Sequence, residues 1–186
     1  MSLVDFVVSV HRGLERARLP HAFGGALALA YVGEPRGTAD VDVNVFLPLG
    51  ELAAILDAFA PLGLRPERPQ EELPPVAGVR LRGERHPFPV DVFPSLDERY
   101  DEVRRRCVRR PFGPAGTVLP FLAAEDLAMF KLSFGRDKDW VDLRAIAAAR
   151  PDLDVDYIER QLLGLRGPTM HPRVARLRRL LRSTAP

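Results

Sequence analysis

Residues 24–46 read GGALALAYVGEPRGTADVDVNVF and combine three patterns. Two glycines lead into a run of good helix formers that ends before Pro35, which predicts a short helix. Residues 39–47 then alternate apolar and polar side chains, as a half-buried β-strand does. On that strand Asp40 and Asp42 share one face, because side chains alternate with a period of two. Two neighbouring carboxylates repel each other unless a cation or an arginine lies between them, so the strand predicts a positive partner at this face.

Hydrophobic periodicity predicts the other elements of the chain. Helices are expected at 3–18, 26–32, 51–64, 95–110, 123–134, 138–149 and, in the basic tail, 154–183. Strands are expected at 21–23, 39–47, 76–83 and 88–93. The strands therefore fall in the first part of the chain, and only helices are expected after them.

This order of elements predicts an α+β fold, in which a small mixed β-sheet is flanked by helices and followed by a helical C-terminal part. The expected domains are a core at 1–110 and a helical region at 111–186 that packs on it. A single domain over 1–186 is the alternative. A chain of 186 residues buries roughly two thirds of its unfolded surface on folding, so it needs no disulfide to be stable.

The composition narrows the class of protein. Charged residues make up 28% and hydrophobic residues 46%, which is ordinary for a globular chain. No apolar run approaches the ~20 residues that span a bilayer, and the N-terminus lacks the basic segment of a signal peptide, so no membrane partner is expected. The single cysteine, Cys107, cannot form an internal disulfide, and this favours a cytoplasmic location. A net charge of +2 does not by itself indicate a nucleic-acid partner.

Two further features point to the same chemistry as the paired carboxylates. The turn at Gly24 and Gly25 opens a helix, whose free N–H groups form a natural anion site. Asp91 lies within an apolar strand, where an unpartnered charge is expensive. Three carboxylates on neighbouring strands suit two Mg²⁺ ions ~3.5–4 Å apart, which bind substrate phosphates and activate an attacking oxygen. The alternatives are a solvated strand face at Asp40 and Asp42, an ordinary glycine turn, and a water-facing Asp91.

These residues resemble the nucleotidyltransferase signature of the polymerase-β-like superfamily. The similarity is to its small bacterial GG-x-A…G-x-x-R-x-T-x-D-x-D branch, which includes AbiEii-like toxins. The matching positions are Gly24, Gly25, Ala26, Gly33, Arg36, Thr38, Asp40 and Asp42. A second segment, LAAEDLAMFKLSFGRDKDWVDLRAI at 122–146, resembles the branch's later motif of a helical lysine followed by Arg-x-x-Asp and Asp-Leu. Many superfamily members carry Gly-Ser at the first motif, and Gly25 lacks the serine hydroxyl that would reach a phosphate.

The resemblance implies transfer of a nucleoside monophosphate from a nucleoside triphosphate to an acceptor hydroxyl, with Mg²⁺ or Mn²⁺ as cofactor. Asp40 and Asp42 would hold the metal that bridges the triphosphate, and Asp91 would complete a second metal site and help to deprotonate the acceptor. The amides of Gly24 and Gly25 would bind the β- and γ-phosphates.

Six other side chains have expected positions near the nucleotide. Lys131 would neutralise charge on the triphosphate, and its alternative is a solvated helical lysine. Arg36 and Thr38 either orient Asp40, contact nucleotide or are structural. Asp139 and Asp142, one helical turn apart, are expected to clamp Lys131 or Arg136, or to form an ion pair between packed helices.

Two arginine-rich segments bear on which molecule accepts the nucleotide. Residues 103–110 and 171–183 each contain five arginines, a pattern typical of a phosphate-rich partner. This suits a toxin that modifies tRNA or protein and has a cognate antitoxin, although an arginine-rich composition also produces such clusters by chance. A small-molecule acceptor of the aminoglycoside type would require an acidic pocket beyond the triphosphate. The third hypothesis is a catalytically silent relative that binds a nucleotide or a partner.

Overall fold

The computed structural model of the chain describes residues 1–68, 78–84 and 86–184. The strands are β1 (His21–Phe23), β2 (Val41–Pro48), β3 (Arg65–Pro66), β4 (Val79–Gly83), β5 (His86–Ser95), β6 (Val108–Phe112) and β7 (Thr117–Phe121). The helices are α1 (Leu3–Arg16), α2 (Gly25–Val32), α3 (Leu52–Phe59), α4 (Tyr100–Arg106), α5 (Ala124–Phe134), α6 (Asp137–Ala149), α7 (Val155–Arg166) and α8 (His171–Thr184). Residues 76 and 77 of the predicted strand at 76–83 lie outside the described residues.

The strands form one mixed sheet in the order β3-β4-β5-β2-β1-β7-β6. At its centre β2 runs parallel to β5 and antiparallel to β1, and β1 runs parallel to β7. Helix α2 packs against β2, α5 and α6, so the short helix after the glycine pair lies between the sheet and the C-terminal helices. The α+β fold class is therefore confirmed.

The second half of the chain contains a β-hairpin that the sequence did not predict. The helix expected at 95–110 covers only α4, and the chain then forms the β6–β7 hairpin, so the expectation that only helices follow the first strands was wrong. Strand β6 is an edge strand with charged, mostly exposed side chains, so it has no apolar alternation to mark it. Its Pro111 is tolerated because an edge strand leaves backbone N–H groups unpaired on one side. Residue 110 lies within β6, and the division into domains at this point stays a prediction.

The C-terminal end of α1 makes a sharp turn into β1. The N–H of Leu19 donates to the carbonyl of Leu14 at 2.9 Å, and the N–H of Arg18 donates to the carbonyl of Glu15 at 2.9 Å. This is a Schellman motif, which usually has glycine at the position that Arg18 occupies. Arg18 has a φ of 57°, and among the described residues it is the one non-glycine with a positive φ. The helix consequently ends two residues before the predicted boundary at 18.

Helices α5 to α8 pack together behind the sheet. The helix expected over 154–183 is interrupted between α7 and α8, where Gly167 has a φ of 80° and Pro168 follows. The Tyr157 hydroxyl of α7 donates to the fully buried carboxylate of Asp126 on α5, which also accepts from Arg106. Within the described residues, no helix has both the length and the apolarity that a membrane crossing requires.

The hydrogen bond between α7 and α5 gives a prediction about stability. Tyr157→Phe removes one donor from a carboxylate that has no access to water, so we expect the free energy of unfolding to fall by about 1–3 kcal/mol. Tyr31→Phe is the matched control, because the Tyr31 hydroxyl bonds to the Pro111 carbonyl at an exposed position; its cost should stay below about 1 kcal/mol. Urea denaturation measures both values, and equal losses would contradict the assignment.

Candidate active site

Three carboxylates converge where β2 lies beside β5. Asp42 on β2 is directly opposite Asp91 on β5 in the parallel register, and Asp40 lies one residue before β2 begins. All three line one cleft of about 220 Å³. Gly24, Gly25, Arg36 and Lys131 line the same cleft, so the structure brings together seven of the eight residues expected at a site. The eighth, Thr38, contacts Asp40.

The three carboxylates are electrostatically unfavourable as a group. Burial, followed by the negative charges of Asp40 and Asp91, raises the pKa of Asp42 to about 6. Burial also raises the pKa of Asp91, and the Arg80 guanidinium partly offsets this. A carboxylate whose pKa is raised by its neighbours holds its charge at a cost in folding free energy. A cation bound among the three would remove that cost.

The glycine pair fits closely around Asp42. The N–H of Gly24 donates to the Asp42 carbonyl at 2.9 Å, so this amide is already used within the protein. Gly25 has a φ of 52°, and a Cβ added to it would lie 1.7 Å from Asp42 Oδ2. No side chain fits there, which explains why serine is absent from this position. The amides of Gly25 and Ala26, at the N-terminus of α2, have no acceptor within the helix and are the ones available to a phosphate.

Thr38 and Arg36 have different partners. The Thr38 hydroxyl donates to Asp40 Oδ1 at 2.7 Å and accepts the Asp40 N–H at 3.3 Å, so it fixes the direction of that carboxylate. Arg36 contacts Asp142 instead, through Nε and Nη2 at 2.8 and 3.0 Å. Arg36 therefore joins the loop before β2 to helix α6.

Lys131 belongs to a buried ion-pair network that also includes Arg36. Its Nζ donates to Asp142 Oδ2 at 2.6 Å and lies 3.6 Å from Asp139 Oδ1, and its side chain is 7% exposed. Asp139 in turn accepts from Arg136. Burial would raise the pKa of Asp142, but hydrogen bonds from Arg36 and Lys131 outweigh it and hold that pKa below its ordinary value. The two aspartates do clamp Lys131, and this network connects α5 and α6 to the cleft.

The sequence interpretation missed Arg80. This residue of β4 is paired with Asp91 in the antiparallel register, and its Nη1 donates to Asp91 Oδ2 at 2.8 Å and to Oδ1 at 3.1 Å. Its Nη2 lies 3.9 Å from Asp40 Oδ2. Arg80 thus supplies positive charge to two of the three carboxylates. Arg136 and Lys138 also line the cleft and add to its positive side.

The donor set fits a hard divalent cation. Asp40 and Asp42 offer carboxylate oxygens, the preferred ligands of Mg²⁺, and Asp42 has no arginine or lysine hydrogen-bonded to its carboxylate among the contacts of the described residues. Asp91 offers oxygens as well, although Arg80 holds both of them. The arrangement of carboxylates, helix amides and lysine or arginine side chains around one cleft is of a kind that can bind a metal-complexed polyphosphate and stabilise charge during its cleavage.

No protein-family model matches the chain, and no curated protein matches it in sequence. Solved structures do match. The antibiotic-resistance factor ANT(2″)-Ia, solved with adenylyl-2″-tobramycin, has a TM-score of 0.57 and 16% identity over 96% of this chain and 98% of its own. A nucleotidyltransferase-like antigenic protein from Paracoccidioides brasiliensis has a TM-score of 0.53 and 15% identity over 92% of each chain. The lincosamide antibiotic adenylyltransferase LnuA, solved with lincomycin, has a TM-score of 0.52 and 10% identity over 76% of this chain and 92% of its own. The chain therefore has the fold of nucleotidyltransferases.

Neutralising Asp42 or Asp142 should change stability in opposite directions. In the presence of EDTA at pH 7.5, Asp42→Asn removes a repelled charge, so we expect the free energy of unfolding to rise by about 2 kcal/mol. Asp142→Asn leaves Lys131 with one distant partner and breaks the Arg36 pair, so we expect a loss of about 3 kcal/mol. Urea denaturation of the three proteins measures both differences. Losses of similar size would show that Asp42 is an ordinary structural carboxylate.

The gain from Asp42→Asn should depend on pH. The pKa of Asp42 is about 6 in the folded chain and near 3.8 when unfolded. Between these values the folded chain keeps a proton that the unfolded chain has released, so the wild-type loses stability relative to Asp42→Asn as pH rises. The difference between the two proteins should be absent near pH 4, grow up to about pH 6 and stay constant above it. A pH-independent difference would contradict this explanation.

Proposed function

We propose that the chain transfers a nucleoside monophosphate from a nucleoside triphosphate to an acceptor hydroxyl, with release of pyrophosphate. The observation that carries this proposal is the meeting of Asp40, Asp42 and Asp91 with the Gly25 turn in one cleft. The fold that the chain shares with nucleotidyltransferases supports it. The alternative of a catalytically silent relative is disfavoured because all three carboxylates that the reaction needs are present.

Mg²⁺ or Mn²⁺ is the proposed cofactor, held by Asp40 and Asp42, with Asp91 completing a second site. Such ions, when bound, neutralise phosphate charge and lower the pKa of a hydroxyl. Thr38 orients Asp40 for this task. Arg80 Nη1 donates to both oxygens of Asp91 and so competes with an ion or a proton for that carboxylate, although each oxygen keeps a second lone pair.

The reaction is a substitution at the α-phosphorus. The acceptor oxygen forms the new bond to phosphorus, the bond to the β-phosphate oxygen breaks, and pyrophosphate leaves with the electron pair. Asp91 takes the proton of the acceptor hydroxyl, because its raised pKa makes it a better base than an ordinary aspartate. The Gly25 amide and its helical neighbours bind the departing phosphates.

Positive side chains stabilise the charge of the triphosphate. Lys131, Arg136 and Lys138 line the cleft on the side of α5 and α6. Since Lys131 is buried and tightly paired with Asp142, we propose that it acts mainly by holding the network in place, and that the exposed Lys138 and Arg136 meet the phosphates. Catalysis of this kind depends on positioning and electrostatics.

An acceptor on tRNA or protein, in a toxin with a cognate antitoxin, is the first proposal for the second substrate. The basic segments at 103–110 and 171–183 support it, but their arginines are partly engaged. Arg173 donates to carbonyls of α5, Arg178 pairs with two carboxylates of α7, and Arg176 lies 3.8 Å over the Trp140 ring. We propose the cytoplasm as the compartment, where nucleoside triphosphates are abundant.

A small-molecule acceptor is the second proposal, and one observation favours it. A small apolar pocket adjoins the cleft and shares Phe93, Phe130 and Phe134 with it. Arg166 lines this pocket, and among its described lining residues there is no carboxylate. The described lining of this pocket therefore does not supply the acidic surface that a polycationic aminoglycoside requires. The pocket better suits an acceptor with an apolar face.

The proposed reaction predicts metal-dependent transfer of label from α-³²P-labelled nucleoside triphosphates. Purified protein would be incubated with each triphosphate, Mg²⁺ and, separately, total tRNA, cell protein or a panel of hydroxyl-bearing antibiotics. We expect labelled product and pyrophosphate with the wild-type. Asp42→Asn and Asp91→Asn should each lower the rate by at least about a hundredfold, because each removes a group that acts on the reacting phosphate.

Asp57→Asn is the matched control, since Asp57 is an exposed aspartate on α3. It should leave the rate unchanged. The labelled fraction identifies the acceptor class, and the labelled triphosphate identifies the base. Absence of transfer from all triphosphates, together with absence of Mg²⁺-dependent triphosphate binding by calorimetry, would overturn the proposal.

A further inference from the structure

A second cluster of ligand-type side chains lies between α1 and β1, apart from the cleft. His11 is on α1, Glu15 is one helical turn further on, and His21 is the first residue of β1. One imidazole nitrogen from each histidine and a carboxylate oxygen of Glu15 all lie within 4.8 Å of one another. Both histidines are buried, at 8% and 6% exposure, and Glu15 is exposed.

The hydrogen bonds of this cluster determine where the ring nitrogens point. His21 Nδ1 is 2.8 Å from the Leu19 carbonyl, which can only accept, so Nδ1 carries the hydrogen and Nε2 has the free lone pair. His11 Nδ1 is 2.9 Å from that Nε2. When His11 carries its hydrogen on Nε2 instead, the lone pairs of His11 Nδ1 and His21 Nε2 face each other. A histidine whose second nitrogen donates to a carbonyl is the usual arrangement of a metal ligand.

The backbone holds this geometry in place. The Schellman turn after α1, with Arg18 in the left-handed region, brings Leu19 and His21 back against the helix. A non-glycine residue in that region is strained, so the turn is maintained by the contacts around it. The i, i+4 spacing of His11 and Glu15 puts both side chains on one face of α1.

We propose that His11 Nδ1, His21 Nε2 and the Glu15 carboxylate bind one Zn²⁺ ion, with water as the fourth ligand. Two nitrogens and one carboxylate with an open position form a common zinc ligand set. Zn–N bonds of about 2.0–2.1 Å place two tetrahedral ligands about 3.3 Å apart, so the imidazoles separate by a few tenths of an ångström and turn until both lone pairs point at the ion, while Glu15 swings inward.

The surrounding charges favour zinc over magnesium. Arg12 and Arg109 are close enough to act electrostatically on His11, and Arg109 also acts on His21. Their charge opposes any cation that is held by electrostatic attraction alone, as Mg²⁺ is. An ion with high affinity for imidazole nitrogen tolerates that opposition. The bound ion would join α1 to β1 three residues before Gly24, and the proposal does not depend on the transfer reaction.

The test uses the full chain carrying Asp42→Asn, freed of metal with EDTA, so that the cleft carboxylates are weakened as competitors. Zn²⁺ binding is measured by calorimetry, and ¹⁵N spectra of the histidine side chains report which nitrogens respond. We expect one Zn²⁺ per chain and shifts of the His11 and His21 nitrogen signals. Glu15→Gln, an exposed change, should weaken binding by at least about tenfold, since even outer partners of metal ligands contribute about 10- to 100-fold.

Glu51→Gln and His171→Gln are matched controls, because they remove an exposed glutamate and an exposed histidine elsewhere. Neither should change the affinity. Three results would each overturn the proposal: no Zn²⁺ binding in the Asp42→Asn chain, an affinity that Glu15→Gln leaves unchanged, or His11 and His21 signals that do not move. The test does not measure transfer activity, so the proposed zinc site and the proposed reaction can fail independently.

Discussion

The close approach of Asp42 to the glycine turn is the constraint on which the site depends. The Asp42 carboxylate occupies the space that a side chain at Gly25 would need, and the Asp42 carbonyl accepts the Gly24 N–H. Strand β2 and the start of α2 are therefore fixed to each other through one residue. The same contact turns the N-terminal amides of α2 toward the carboxylates, so an anion bound to the amides and a cation bound to the carboxylates would be neighbours.

The aspartates around this contact differ in whether positively charged side chains are paired with them. Asp142 is paired with both Arg36 and Lys131, and its negative charge stabilises the folded chain. Burial and the negative charges of Asp40 and Asp91 raise the pKa of Asp42. The negative charge of Asp42 therefore lowers the stability of the folded chain, whereas the negative charge of Asp142 raises it. Such a loss is expected where a charge serves a ligand rather than the fold.

The sequence was sufficient to predict the site residues that belong to short, continuous sequence patterns. The glycine turn, the alternation through Asp40 and Asp42, and the buried strand of Asp91 all follow from periods of two and from helix-start patterns. Arg80 could not be found in this way. Counting back from the β4–β5 turn pairs it with residue 89, but a register shift between Leu81 and Gly83 moves it opposite Asp91. The partner of Arg36 was equally hidden, because Asp142 is distant from Arg36 in sequence and the contact depends on how α6 packs.

The position of Arg80 also bears on the order of events in the proposed reaction. Its guanidinium holds both oxygens of Asp91 and lies near Asp40, so it partly supplies the positive charge that a second ion would bring. An incoming triphosphate offers Arg80 a competing anion with more charge than one carboxylate, and the planar guanidinium can bind phosphate through two N–H groups, whereas it holds Asp91 through Nη1 alone. Movement of Arg80 from Asp91 to the phosphates would free the base at the moment the substrate is bound. Deprotonation of the acceptor would then be coupled to triphosphate binding through a single side chain.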